Sequence, residues 1–334
     1  MLENIQGQPE SLRAVSAYQF GEGATALQAA ATAIRTAGRV VFTGMGASLY
    51  ASIPAAAYLA AHGFPAVTVD TSELLHFGSA QDDAALVLVS RSGETTEIVK
   101  LLAKMGPRAH PTIGVTNVMA SSLARGTAFA IDVHSAADRM VAVQTYTATA
   151  ATLLLLAAAV LETAPAGPRR ALDQAIDALS GAIDSALEAH LEWTDFLNGA
   201  GVVYVLGRGP SLASVHAGAL LFNEAARLPS VGMSAGLFRH GPVEVVDSRW
   251  RAILFASQAA TRDLDLALAA DLTAMGGRVK VCDGGGAPLL FEPLSEIVPV
   301  QVAACALALD RGIDPGDFRY ADLVTLSETG FRQP

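Results

Sequence analysis

Cysteine is scarce. Cys282 and Cys305 are the only two, with no CxxC spacing, so neither a disulfide scaffold nor a structural zinc site has residues to build on. Basic residues are in deficit, 22 Lys and Arg against 32 Asp and Glu for a net charge of −10. That balance sets aside nucleic acid and anionic membrane as partners, since both are bound by basic patches that displace counterions. No GKS or GKT occurs, which excludes a P-loop. The most apolar run falls short of the roughly 20 residues that cross a bilayer. The most apolar stretch, Ala148 to Leu161, is interrupted only by threonines. In a chain that is 51% hydrophobic with positive mean hydropathy, it reads as a helix buried between layers of an α/β protein. The opening segment MLENIQGQPESLRA lacks a basic region followed by an apolar stretch, so it is expected to start a helix and not to direct secretion. A reducing, cytoplasmic setting fits these absences.

What is present is a long chain with an alternating pattern. At 334 residues it exceeds what one ordinary core holds and predicts two domains of roughly 150 residues. Strand-type runs at Val40–Thr43, Ala66–Asp70, Ala84–Val89, Thr112–Thr116 and Phe129–Val133 are separated by helical stretches, among them about Leu49 to His62 and the long one ending near Glu162. Strands divided by helices predict a parallel sheet wound on both faces. A break is expected across Ala164–Arg170, where two prolines and a glycine stand together, followed by a helix from about Ala171 to Leu197. The domains are therefore drawn at 1–165 and 171–334. The second opens VVYVLGRGPS, which lies over VVFTGMGAS so that Gly44, Gly46 and Ser48 fall on Gly207, Gly209 and Ser211. With further strands at Ala252–Ala256 and Arg278–Cys282, the chain reads as a duplicated α/β unit.

The densest polar signal is SRSGETTEIV, residues 90–99, directly after the run ALVLV. Where a parallel strand gives way to a helix, backbone N–H groups lack partners and the helix dipole adds about half a positive charge. Ser90, Ser92 and Thr95 can add hydroxyl donors, Gly93 lets the backbone curl closely round a ligand, and Ser48 comes from a neighbouring strand exit. Together they make a phosphate cradle. A helix cap followed by Glu97 would explain one or two of these hydroxyls without any ligand. A dinucleotide site is the rival on this scaffold, with Asp70 as ribose-binding acid, but the third glycine of its fingerprint is missing and the serine turn has no part in it.

GMGAS, SRSGETTE, FNEAARLP and FRHGP resemble the SIS (sugar isomerase) domain family, and in particular its branch of sugar-phosphate isomerases and deaminases that includes the isomerase half of glucosamine-6-phosphate synthase. The resemblance runs from about Leu2 to Thr325. It implies an α/β fold of two tandem flavodoxin-like SIS domains, each a parallel sheet with helices on both faces, and a homodimer. It implies that Gly46, Ser48, Ser90, Arg91, Ser92 and Thr95 bind the phosphate of a small-molecule sugar phosphate, with Val141 and Val143 near the sugar. It further assigns Glu224 as the carboxylate that shuttles a proton between adjacent carbons. His240 becomes the histidine that opens the ring, reaching in relatives the site of the partner subunit. No cofactor and no metal is called for. The turn at Ser257–Thr261, with no glycine and only two hydroxyls, is expected to have lost phosphate binding.

The chain also departs from that pattern. The synthase carries a Schiff-base lysine in its C-terminal tail, where Leu323 stands here. A second lysine of that site is Leu221, and a third is lost near Gln144. Lysine occurs only at 100, 104 and 280. Imine chemistry therefore has no obvious amine, whereas an enediol or enamine route run by Glu224 and His240 survives. A glutaminase half and an N-terminal cysteine are not expected. Three readings stay open: aldose/ketose isomerase, amino-sugar-phosphate deaminase, and a sugar-phosphate sensor without turnover.

Overall fold

The computed structural model describes residues 1–78, 83–106, 109–288, 290–316, 318–320 and 328. Its contacts divide the chain into two compact units. One comprises Glu10–Ala137, Gln144–Leu172 and Arg319–Pro334; the other comprises Met1–Pro9, Asp138–Val143 and Asp173–Phe318. This division exchanges short pieces relative to domains drawn at 165 and 171, so the helices α1 (Leu2–Gln19) and α8 (Ala166–Glu188) each contribute to both units.

The first unit holds α2 (Ala24–Ala37), β1 (Val40–Gly44), α3 (Ala47–Ala61), β2 (Ala66–Asp70), α4 (Thr71–His76), β3 (Ala85–Val89), α5 (Thr96–Lys104), β4 (Thr112–Thr116), α6 (Ser122–Gly126), β5 (Phe129–Asp132) and α7 (Gln144–Val160). The five strands are parallel in the order β2-β1-β3-β4-β5, the flavodoxin-like arrangement, whose order reverses between β1 and β3. Those two central strands, VVFTG and ALVLV, are buried along their whole length, as expected of strands covered on both faces. On one face Val41, Leu86 and Leu88 pack with Leu74, Leu75, Ile98, Leu101 and Leu123 from the covering helices. Each such side chain contributes roughly 1.5–3 kcal/mol by leaving water. Every residue of α7 is buried, and the helix packs on α2 and α3. The apolar run from Ala148 is thus a core helix as far as Val160.

The second unit continues with α9 (His190–Leu197), β6 (Val202–Gly207), α10 (Leu212–Glu224), β7 (Ser230–Ser234), α11 (Ala235–Phe238), β8 (Trp250–Phe255), α12 (Arg262–Ala274), β9 (Arg278–Cys282), α13 (Glu292–Glu296) and α14 (Val298–Asp310). Its parallel strands run β7-β6-β8-β9, the order of the first four strands of the other sheet. Trp250, Phe238, Leu206, Leu254, Leu268 and Leu272 form the core on one face. The segment Glu292–Asp310, 19 residues with mean hydropathy 1.3, is long and apolar enough to cross a membrane, but 83% of it is buried within the protein. Inside it the Gln301 side-chain amide pairs with that of Gln8 at 2.8 and 3.2 Å.

Two expectations fail locally. The helix after the Pro-Gly stretch starts at Ala166, not near 171, and takes in Pro168. In a first turn the N–H that proline lacks has no intrahelical acceptor to lose. It also divides at Ala189 into α8 and α9. Strand β7 gave no sequence signal, because SVGMS is a partly exposed edge strand with neither an apolar run nor a clean alternation.

Candidate functional site

The turns after β1 and β3 meet at the point where the strand order reverses. Gly44 and Val89 are the last register partners of the two strands, so their exits are level. A side chain on Gly44 would stand 3.0 Å from both Val89 O and Leu49 N, which is how closely the first turn lies on the end of β3. Gly46, at φ 51 and ψ −126, then opens α3, and Ser48 follows in its first turn, half-buried.

The second turn is built from its own hydroxyls. Ser90 is 2% exposed; its Oγ lies 2.7 Å from Thr95 Oγ1 and accepts the Gly93 N–H at 3.1 Å. Thr95 occupies the N-cap of α5, yet its side chain makes no capping bond. Simple capping therefore does not account for that hydroxyl, which turns toward Ser90. Ser92 is exposed, and its Oγ accepts the Glu94 N–H at 3.2 Å. Gly93 has φ +66, and a Cβ there would overlap the Ser121 side chain and lie 3.0 Å from Thr116 Oγ1; only glycine suits the position.

The loop is fastened from the side by the β4–α6 connection. Val115 O accepts the Ser90 N–H at 3.1 Å, and Arg91 O accepts the Asn117 N–H at 3.1 Å and the Thr116 hydroxyl at 3.2 Å. Gly93 O accepts the Leu123 N–H at 3.0 Å. The Glu94 carboxylate accepts the Ser122 N–H at 2.6 Å, a bond that lowers its pKa. Loop and helix start are thus held in place before any ligand arrives, which is what an oxyanion site requires.

Ser48, Ser90, Arg91, Ser92, Thr95 and Gly46 accordingly share one edge of one sheet. Val141 and Val143 have buried side chains, 2% and 0% exposed. They are core positions, with the Val143 N–H donating to Asp138 Oδ2 at 2.9 Å. Asp70, the acid of the dinucleotide alternative, caps α4 by accepting from Ser72 N and Glu73 N at 2.7 and 3.3 Å.

Glu224 is the last residue of α10 and is half-buried, as its apolar neighbours suggested. Helix α10 runs back from the carboxyl edge of the sheet, about 20 Å at 1.5 Å per residue. Exposed His240 lies beyond the carboxyl end of β7, its N–H bonded to Leu237 O at 2.9 Å. His240 thus sits in the connection between β7 and β8, and Glu224 at the end of the helix that precedes β7. Leu221 is buried in α10, Gln144 starts the buried helix α7, and Leu323 lies outside the described residues.

A carboxyl pair escaped the sequence reading. Glu292 and Glu296 are both buried, one helical turn apart. Burial, reinforced by Glu296, pushes the Glu292 carboxyl up to about 7, against the bond from Gln258. Burial also pushes Glu296 up, against the hydroxyls of Ser211, Ser257 and Ser214. Acids spaced by four in the apolar run FEPLSEIVPV were the available signal.

A level pair of strand exits at a reversal of strand order, lined with hydroxyls beside a helix start, defines an α/β domain equipped to hold an oxyanion. Comparison with known proteins agrees: residues 33–161 match the SIS domain. The glutamine–fructose-6-phosphate aminotransferase (isomerizing) of Pyrobaculum aerophilum is 28% identical over 335 residues, covering 94% of this chain and 55% of its own length. The chain thus spans about half the length of that relative. The C-terminal domain of glucosamine-fructose-6-phosphate aminotransferase from Francisella tularensis superposes with a TM-score of 0.83 at 20% identity, over 94% of this chain and 96% of that one. A protein of Silicibacter pomeroyi DSS-3, provisionally described as a phosphosugar isomerase, does so with a TM-score of 0.81 at 26% identity, over 94% and 99%.

Proposed function

We propose that the chain binds a hexose or hexosamine 6-phosphate and interconverts its aldose and ketose forms. The observation that carries this reading is the cradle at the exits of β1 and β3. There the Thr95 hydroxyl is turned to Ser90 and away from its helix cap, beside a Gly93 that admits no side chain. Ser48, Ser92 and Thr95 with the first-turn amides of α5 would hold the phosphoryl oxygens, and Arg91 would add the one charge. Similarity to a glutamine–fructose-6-phosphate aminotransferase and to a protein described as a phosphosugar isomerase supports a phosphorylated sugar as the ligand. The matching strand order of the second sheet supports a second, divergent SIS domain.

In the proposed reaction His240 protonates the ring oxygen as the C1 hydroxyl loses its proton, which opens the sugar. The Glu224 carboxylate then removes the proton on C2 of the aldose. The C2–H electrons form the C1–C2 double bond of an enediol as the C1 carbonyl pair moves onto O1, which takes a proton from solvent; return of the proton from Glu224 to C1, with loss of the O2 proton to solvent, leaves the carbonyl on C2. The same proton transfer on a 2-amino sugar gives an imine that water hydrolyses to ketose and ammonia, which is the deaminase alternative. By the resemblance to the SIS family this scheme draws the histidine from a second copy, hence a homodimer. A lysine imine is not part of it.

The test is Glu224→Gln. Conversion of hexose and hexosamine 6-phosphates should fall at least about 100-fold, as for loss of a general base, with ligand affinity kept within about threefold. If the unaltered protein binds these ligands yet converts none, the sensor reading replaces the enzyme reading.

A further inference from the structure

The second unit has strand exits laid out like those of the first, and something already occupies them. Ser211 lies four residues beyond Gly207, the last residue of β6, as Ser48 lies four beyond Gly44 at the end of β1. Ser257 stands just past β8, the strand that neighbours β6 as β3 neighbours β1. Both hydroxyls point at one carboxyl group: Ser211 Oγ donates to Glu296 Oε1 at 2.6 Å and Ser257 Oγ at 2.5 Å. Ser211 is the N-cap of α10 and, like Thr95, its side chain makes no capping bond. Glu296 is 0% exposed. Its other oxygen, Oε2, is buried near the Ser214 hydroxyl, and neither atom makes a hydrogen bond of good geometry.

No cation answers this group. Arg208 is held by Asp265, Nε to Oδ1 at 2.7 Å, and Arg262 by Asp283 at 2.5 Å; among the described residues neither Glu292 nor Glu296 makes an ion pair. A carboxyl group held by two strand-exit hydroxyls is solvated as an oxyanion ligand would be, with one oxygen left short of a well-formed bond.

We infer that the β6–β9 unit carries a second oxyanion cradle, kept closed by the chain's own Glu296 side chain standing where a phosphoryl or carboxylate ligand would sit. The consequence is one phosphosugar per chain, not two. This rests on the reading of strand-exit hydroxyls as oxyanion donors; the two can fail separately, because binding at the first cradle is counted in the unaltered protein.

The experiment is isothermal titration with inorganic phosphate, counting sites per chain, in the unaltered protein, Glu296→Ala, Glu296→Gln and Glu296→Ala combined with Ser211→Ala and Ser257→Ala. Glu296→Ala should gain one site over the unaltered protein. Glu296→Gln, whose amide oxygen still accepts both hydroxyls, should gain none, and the triple variant should lose the gain. No added site in Glu296→Ala, or an added site that survives removal of both serines, overturns the proposal. Should Glu296→Ala fail to fold alone, refolding it in sodium acetate against sodium chloride decides the matter. Acetate should restore the folded yield by replacing the missing carboxylate, and equal yields in the two salts would overturn the proposal.

Discussion

Gly93→Ala probes the cradle at its tightest point. The substitution adds one methyl group, so its effects can be separated. At φ +66 an alanine costs about 1–2 kcal/mol relative to its preferred backbone regions. Its Cβ would overlap Ser121, which is 1% exposed and caps α6 by accepting from Ala124 N at 3.3 Å. Overpacking of this kind costs about 1–3 kcal/mol. The total expected loss is about 2–5 kcal/mol, read as a lower urea midpoint at unchanged slope. Ser121→Gly alone gives up the cap for a few tenths of a kcal/mol, since glycine tolerates that position. Combined with Gly93→Ala it removes the overlap and leaves the backbone cost. The double-mutant cycle should therefore show the pair costing less than the sum of the singles by about 1–3 kcal/mol. Additivity within about 0.5 kcal/mol would refute the steric reasoning and with it the claim that this turn is closed to any side chain.

Two further outcomes follow from the second unit. Glu292 carries a raised folded-state pKa, so its contribution to stability is complete below the ordinary carboxyl value of 4.5 and is lost as pH rises through about 7. The shift corresponds to about 3 kcal/mol, which solvent near the group reduces to about 1–2. Glu292→Gln should accordingly raise the urea midpoint near pH 8 and leave it unchanged near pH 4; parallel pH profiles would contradict this. Gln8→Ala leaves the wholly buried Gln301 amide short of a partner and should cost about 1–3 kcal/mol. Replacing both glutamines by leucine should cost less than Gln8→Ala alone in thermal unfolding; a larger loss would show that the amide pair itself stabilises the packing.

Much of the first unit was legible because its signals are local. The strands β1 to β5 stand within a residue of where apolar runs placed them, and the stretch from Ala148 is buried as far as Val160, as its all-round apolarity required. The serine turn was legible as well, since hydroxyls and glycine are clustered within six residues. What sequence did not convey depends on pairing at a distance. β7 is recognisable as a strand only by its register with β6 from Val203↔Ser230 onward. Val141 and Val143 were placed near the sugar by resemblance alone, since buried valines carry no chemical signal of their own. Glu296 meets Ser211 and Ser257 across 85 and 39 residues, a contact that no local spacing announces.

The central claim is that the hydroxyls at the exits of β1 and β3 hold a phosphoryl group. Its most direct test is titration of the protein and of Ser48→Ala with a hexose 6-phosphate and with the same sugar lacking phosphate. The account predicts binding of the phosphorylated sugar alone, weakened in Ser48→Ala by about 10- to 100-fold, as for loss of a hydrogen bond to a charged acceptor worth about 1.5–3 kcal/mol. Equal affinity for the two sugars, or an affinity untouched by the substitution, would contradict it.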